Sequence, residues 1–421
     1  MSKGWRNNLV LAGILALAAG GLWYQESRDQ AKEAADKESR AVSSLRAETI
    51  ASVNFRDGSG QELTLAQEEG QWQITAPAKL RTNSEAVKSM LEVLNKTYEK
   101  KSVDTITDPA AFGLDAPTAR LQVQDRAGGS RLLLAGNTAP ANAQKRYVSL
   151  GEKGPVVLMA NSDLTNLLKK SEELRDKRIA RTDATRLTRI QRIQKSGETL
   201  LLSREKEESW RIEAPLKDRA DGNRISAWIF AVTGSQGSTF QQARPQGDPD
   251  WRVELTPAQG EVESIPIWRA GTTLVTVRSG EPDALILPQY LAEELDKNPL
   301  ELVDMRPVAD KSDLATLKLD QHGQSVNAEK KEGKWPRNEW ADLEEMLMRD
   351  AQRGVVLPAG GTPWATITLG AGDKARTLAL FQEEQSLRVS LPDRPVALEL
   401  TPLQAETIQK AVTGLLPAKG S

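Results

Sequence analysis

Through much of this 421-residue chain apolar and polar positions alternate with a period of two, in short runs broken by glycine, proline and charged turns. Ile50-Ala-Ser-Val-Asn-Phe55, Glu62-Leu-Thr-Leu65 and Trp72-Gln-Ile74 read as half-buried antiparallel strands around a turn at Asp57-Gly-Ser-Gly60. The period then changes. Ser84 to Thr97 sets Val87, Met90, Leu91 and Leu94 on one face, which predicts an amphipathic helix with Ser84 as its N-cap. Alternation resumes at Ala119-Arg-Leu-Gln-Val123, Arg131-Leu-Leu-Leu134, Arg146-Tyr-Val-Ser-Leu150 and Val156-Val-Leu158, and a second helix is expected over Ser162 to Leu174.

The same succession returns twice. Leu187 to Ile193, Thr199-Leu-Leu-Leu202 and Trp210-Arg-Ile212 lead into a helical stretch with Ile225, Trp228, Ile229 and Val232 on one face. Leu314 to Leu319, a turn at His322-Gly323 and Trp335-Pro336 lead into one with Trp340, Leu343, Met346 and Leu347. The first two copies share the motif W-x-I-x-A-P, at Trp72–Pro77 and Trp210–Pro215. Trp72, Trp210 and Trp335 lie 138 and 125 residues apart, so each repeat is a small domain and not a solenoid turn. Strand runs with helices set between them predict an α+β fold of three tandem repeats, at 49–180, 181–308 and a degenerate 309–418.

Before the repeats, Leu9 to Tyr24 carries no charge for sixteen residues. As a helix it would rise ~24 Å, slightly short of a hydrocarbon core of ~30 Å. Lys3 and Arg6 precede it and Trp23 and Tyr24 close it, which favours a signal anchor with residues 1–8 in the cytoplasm. A cleaved signal peptide ending near Ala16-Leu17-Ala18 and a buried core helix are the other readings. The first two place the bulk of the chain outside the cytoplasm. Residues 25–48 mix six acids with five bases and hold no glycine, proline or aromatic, which predicts a solvated helical stalk.

Composition narrows the chemistry. Lys plus Arg is 56 and Asp plus Glu is 58, so no global field draws nucleic acid. Cysteine is absent, which removes disulfides, thiolate metal sites and cysteine nucleophiles. A single histidine, His322, cannot build a multi-histidine metal site, and its place before Gly323 reads as a turn. There is no P-loop and no calcium-loop motif, and Gly370-Ala-Gly372 reads as a hairpin turn. The carboxylate pairs Glu68-Glu69, Glu172-Glu173, Glu293-Glu294 and Glu344-Glu345 read as solvated surface. A catalytic function, a metal and a cofactor are therefore not expected.

The candidate interaction surface is the segment 175–195. It holds eight bases, Arg175, Lys177, Arg178, Arg181, Arg186, Arg189, Arg192 and Lys195, against Asp176 and Asp183. A charged edge strand, a surface for anionic lipid or glycan, and a dock for an acidic partner are the open readings. The ten tryptophans read as structural anchors, with sugar stacking as the alternative.

The two Trp motifs, Phe112-Gly-Leu-Asp-Ala-Pro117 and the closing Leu174-Arg175-Asp176 together resemble the DUF4340 family, over about residues 45–310 and more loosely beyond. In the second copy the Phe-Gly-Leu-Asp-Ala-Pro motif has eroded to Gly247-Asp-Pro-Asp-Trp251, and Leu302-Val-Asp-Met-Arg306 only approximates the closing Leu-Arg-Asp. The resemblance implies a membrane-anchored periplasmic protein, held in the lipid through Leu9–Tyr24. It also implies an ABC-2 type permease and its ATPase as partners. It brings no catalytic residues. A non-catalytic accessory scaffold is the expected function, with a binding module for envelope polysaccharide or peptidoglycan as the alternative.

Overall fold

The structure is a computed structural model that describes residues 21–30, 32, 40–42, 46–56, 60–100, 107–152, 154–206, 209–356, 361–372, 375–383 and 386–416. Within them residues 21–30 are helical, and no helix of the described residues is long and apolar enough to cross a membrane. The expected anchor Leu9–Tyr24 lies, up to residue 20, outside the described residues, as do the tail 1–8 and much of the stalk.

Among the described residues the strands form three antiparallel sheets of ten, nine and seven strands. With the helices between them this is the expected α+β architecture. The sheets share one wiring. In each, two meanders are joined through their first strands: Ile50–Arg56 with Ala119–Asp125, Leu187–Gln194 with Trp251–Pro257, and Thr316–Gln321 with Ala365–Leu369. The amphipathic helix connects the meanders, as Ser84–Glu92, Gly222–Gly234 and Asn338–Met348. All twelve apolar residues expected on its faces are buried, from Val87 to Leu347. The strand after this helix crosses to the far side and pairs with the last strand of the second meander. These strands are Thr97–Lys100 on Val156–Ala160, Phe240–Gln241 on Ala284–Leu287, and Arg353–Val355 on Ala397–Glu399.

Three local expectations are corrected. The N-cap of the first helix is Asn83, whose side chain accepts from the Glu85 and Ala86 backbone N–H groups at 3.1 Å, and Ser84 is the first helical residue. That helix ends at Glu92 and passes through a 3-10 turn, Val93–Asn95, so Thr97 begins a strand. Within the expected helical stalk, Arg40–Val42 is a strand, with Arg40 opposite Glu99 and Val42 opposite Thr97. The free backbone edge of Thr97–Lys100 supplies hydrogen-bond partners that override the weak helical pattern of the alanines.

The motifs mark specific joints. Both W-x-I-x-A-P segments end in a cis peptide, at Ala76-Pro77 and Ala214-Pro215. Phe112 closes a 3-10 turn ended by Gly113, which sits at φ +68° with a position for Cβ only 2.4 Å from Asn137. That left-handed backbone favours glycine there. Phe112 then meets Tyr147 edge-on at 5.1 Å and, with Leu114, covers the outer face of the first sheet. His322 and Gly323, at φ +47° and +79°, form the two-residue hairpin turn that the sequence predicts.

The described residues divide into two compact units. One runs to Asp176 and takes in Gly280–Pro282; the other comprises Lys177–Ser279 and the chain from Asp283 on. Each has its own core. In the first unit the closing Leu174-Arg175-Asp176 stitches onto the strand Leu80–Arg81: Asn83 N–H donates to Leu174 O at 2.8 Å and Asp176 N–H to Arg81 O at 2.9 Å. In the second unit Leu302-Val303-Asp304 does the same at Asp218–Arg219, with Asp221 N–H to Leu302 O and Asp304 N–H to Arg219 O, both at 2.9 Å. The approximate closing motif is thus an equivalent joint.

The second unit holds the second and third sheets over one continuous core. Its strap, residues 302–308, is bonded on both sides, because Ala351 N–H also reaches Met305 O at 2.9 Å and Val308 N–H reaches Leu347 O at 3.0 Å. Arg394 locks it. Its Nε donates to Asp218 Oδ1 at 2.7 Å and its Nη2 to Asp304 O at 2.7 Å, and the side chains of Arg394 and Asp218 are 1% and 0% exposed. Removing one partner of a pair buried this deeply strands the other charge at a cost of ~3–5 kcal/mol. Arg394→Met should therefore destabilise the second unit by about that much, whereas Arg394→Met with Asp218→Leu should lose less. Urea denaturation with amide exchange resolving the second unit checks this, and equal losses in the single and double variants would contradict it.

Candidate docking site

The second unit carries a cleft of about 900 Å³. One wall is the helix Gly222–Gly234 with the 3-10 turn Pro299–Leu302, and the other is the edge strand Arg353–Val355. Pro299 starts the turn. Asn298 caps it, accepting from Leu300 N–H at 2.9 Å, while the Glu301 carboxylate accepts from Asn298 N–H at 3.0 Å. The buried Leu302 and Met305 form the floor, and Val356, 61% exposed, stands at the rim. Gly354 lets the walls approach: a Cβ there would lie 3.2 Å from Val303 and 3.3 Å from Leu300 O.

Four cations line this cleft against one acid, Glu301, whose carboxylate is engaged in the cap. Arg224 Nη1 donates to Glu301 O at 3.0 Å. Lys297 pairs with Glu294 at 2.7 Å. Arg353 and Arg388 share Glu399, at 3.0 Å and 3.4 Å, and Arg388 also reaches Glu383 at 2.8 Å. Hydrogen bonding from Arg353, with the charge of Arg353 and Arg388, holds the Glu399 carboxyl below the usual carboxylate range. Arg224 also lies 4.0 Å from Asp221, so each cation has a carboxylate partner, but those partners stand outside the lining and it is the cations that face the cleft, with 63% of the Arg353 side chain in solvent.

The basic segment expected from the sequence is not one surface. Arg175 and Arg192 are buried, at 6% and 0% exposure. Arg175 donates to Glu281 Oε2 at 3.0 Å. Arg192 donates to Leu295 O and Lys297 O at 2.7 and 2.9 Å and to Glu198 at 2.6 Å. It thereby ties the end of the helix Tyr290–Asp296 to the strand Leu187–Gln194. Burial lowers its pKa from the ordinary guanidinium value, against the pull of Glu198. Lys177 is half-buried and donates to Ser238 O at 2.6 Å. Arg178, Arg181, Arg186, Arg189 and Lys195 remain exposed. The period of the strand separates them: Ile190 and Arg192 face inward, and Arg189 faces outward.

The carboxylate pairs also have structural duties. Glu68 pairs with Lys79 at 2.6 Å, Glu173 caps Lys170 N–H at 2.9 Å, Glu344 pairs with Lys330 at 2.6 Å, and Glu345 pairs with Arg349. Of the described tryptophans, Trp210, Trp228, Trp251 and Trp340 are buried, and Trp72, Trp335 and Trp364 pack against the cores. Trp268 packs over a smaller cluster and donates to Gly247 O at 3.0 Å, so the eroded motif of the second copy still helps to cover its sheet. Among the described residues no group of three His, Asp or Glu side chains could hold a metal ion.

An α+β protein of repeated antiparallel sheets is the class that this architecture defines. Residues 72–250 match the model of a domain of unknown function, DUF4340. The match runs from Trp72 of the first Trp motif to the residue before Trp251, which is narrower than the span 45–310 expected from the motifs. It joins parts of the first two sheets and excludes the third. A comparison with curated proteins finds no match.

Two predictions separate structure from surface. Arg192→Ala should lower stability by ~3 kcal/mol by stranding buried carbonyls, and Arg189→Ala should stay within ~0.5 kcal/mol of the parent, as thermal denaturation would read. A carboxyl whose folded pKa is depressed stabilises above its unfolded pKa of ~4.3, and that contribution is lost as pH falls through the folded value. The double variant Arg353→Met, Arg388→Met should therefore be ~1 kcal/mol less stable than the parent at pH 6, with the gap closing as denaturation is repeated below pH ~4.

Proposed function

We propose that this chain is a non-catalytic, membrane-anchored extracytoplasmic accessory subunit of an ABC-2 type transporter system, serving as a docking scaffold for the permease and its ATPase. The carrying observation is the second unit: two sheets over one core, pinned by the buried Arg394–Asp218 pair, that present a cleft with a basic rim. Fixed walls reduce the ordering cost of holding a partner. The match of residues 72–250 to DUF4340 supports the family resemblance through which the transporter enters. The uncharged run Leu9–Tyr24 behind Lys3 and Arg6 supports the anchor and the extracytoplasmic side. The glycan-binding alternative draws no comparable support, since it asks for exposed aromatic rings in one groove and the tryptophans of the sheets are packed.

Purification of the full chain from membranes in mild detergent tests the reading. The expected result is recovery of a permease and an ATPase with it. Recovery of the chain alone, or location of its body in the cytoplasm, would overturn it.

A further inference from the structure

The strand Arg353–Val355 ends its sheet: among the described residues it pairs with Ala397–Glu399 alone. A strand uses half of its backbone groups for one neighbour, and the rest of an end strand point outward. Here they border the cleft, where the turn Pro299–Leu302 packs over Gly354 without a backbone hydrogen bond to the strand among the described residues.

The first sheet shows what such an edge accepts. Thr97–Lys100 has the same place in the wiring, after the amphipathic helix and against the last strand of the second meander. Its outer edge is covered by Arg40–Val42, an added antiparallel strand from a distant part of the chain. The equivalent edge of the third sheet has no such cover among the described residues.

Charge selects the occupant. Arg224, Lys297, Arg353 and Arg388 line the cleft, whereas the carboxylates they pair with, Asp221, Glu294, Glu399 and Glu383, do not, and the lining acid Glu301 is tied to Asn298 N–H. The apolar floor of Leu302 and Met305 suits the inward side chains of an alternating strand. We propose that this cleft is the docking groove for an extended acidic segment of a partner protein, which joins the third sheet as an antiparallel strand along Arg353–Val355. This names the chemistry of the partner-facing surface, and so rests on the scaffold reading.

A fluorescein-labelled heptapeptide of alternating valine and glutamate tests it by fluorescence anisotropy on the full chain. Its controls carry lysine for glutamate, or N-methyl groups along one edge. The acidic peptide should bind saturably, and the lysine peptide and the N-methylated peptide should each bind ~10-fold more weakly. Arg353→Glu and Arg224→Glu should each weaken the acidic peptide ~5–10-fold; Arg224 belongs to the helix Gly222–Gly234 and not to the strand, so its variant reads out charge if the other loosens the strand. No saturable binding, equal binding of both charges, or indifference to N-methylation would overturn the proposal. Concentration-dependent dimerisation abolished by Arg353→Glu would assign the edge to a second copy and overturn it too. No permease or membrane enters this assay, so its failure and a failed co-purification are separate results.

Discussion

Arg394 reaches across the second unit with a planar fork and is met by Asp218 Oδ1 and the Asp304 carbonyl, with Arg306 O at 3.4 Å behind. Burial of a guanidinium is unfavourable unless its protons are satisfied and its charge is opposed. Both conditions hold here, and they hold only when the loop carrying Arg394, the strand carrying Asp218 and the strap carrying Asp304 stand in one arrangement. An apolar contact would tolerate sliding between the sheets. A forked, charge-assisted contact does not. The position of the cleft walls follows, since one wall belongs to the second sheet's helix and the other to the third sheet's edge.

The strap explains why two sheets make one unit. Residues 302–308 have no sheet of their own, yet their backbone groups bond to Arg219 and Asp221 on one side and to Leu347 and Ala351 on the other. Leu302, Met305 and Val308 point into the shared core. In the first unit the closing tripeptide makes the same backbone stitches, at Asn83 and Arg81. One joint is therefore used twice with different side chains. Arg175 stands where Val303 stands, and each carries the bridge, to Thr82 and to Ala220. The backbone defines the joint, and the side chains decide what is buried beside it.

This division tells which features were legible in the chain. Helix faces and meanders follow from local periods, and Ile225, Trp228, Ile229 and Val232 lie where a period of 3.6 puts them. The turn at His322-Gly323 needs two positive φ angles and shows it in its residues. Arg192 was open to the same reasoning: it stands two residues after Ile190 in a strand, so alternation puts it inward despite its charge. Counting bases along 175–195 hid that. Arg40–Val42 was not legible, because nothing local distinguishes three residues of a charged helix pattern from a strand that a remote edge recruits. The cleft was not legible either. Arg224, Lys297, Arg353 and Arg388 are scattered over the second half of the chain and converge only through sheet order and the strap.

The edge strand draws these points together. An unpaired edge invites association, and proteins limit this by placing charge upon it. Arg353 does so here, paired with Glu399 yet with most of its side chain in solvent, while Arg388 pairs with both Glu399 and Glu383. The result is an edge lined by paired but solvent-facing cations above an apolar floor, with its outer backbone groups unpaired among the described residues. Such an edge disfavours a second basic strand by repulsion and an uncharged one by the cost of desolvating Arg353 without return. An acidic strand meets neither penalty. Because most of its hydrogen bonds would come from backbone, it needs only alternation and negative charge, which many sequences provide. Selectivity at this surface then comes from the fixed geometry behind it, and that geometry is set by the buried guanidinium of Arg394.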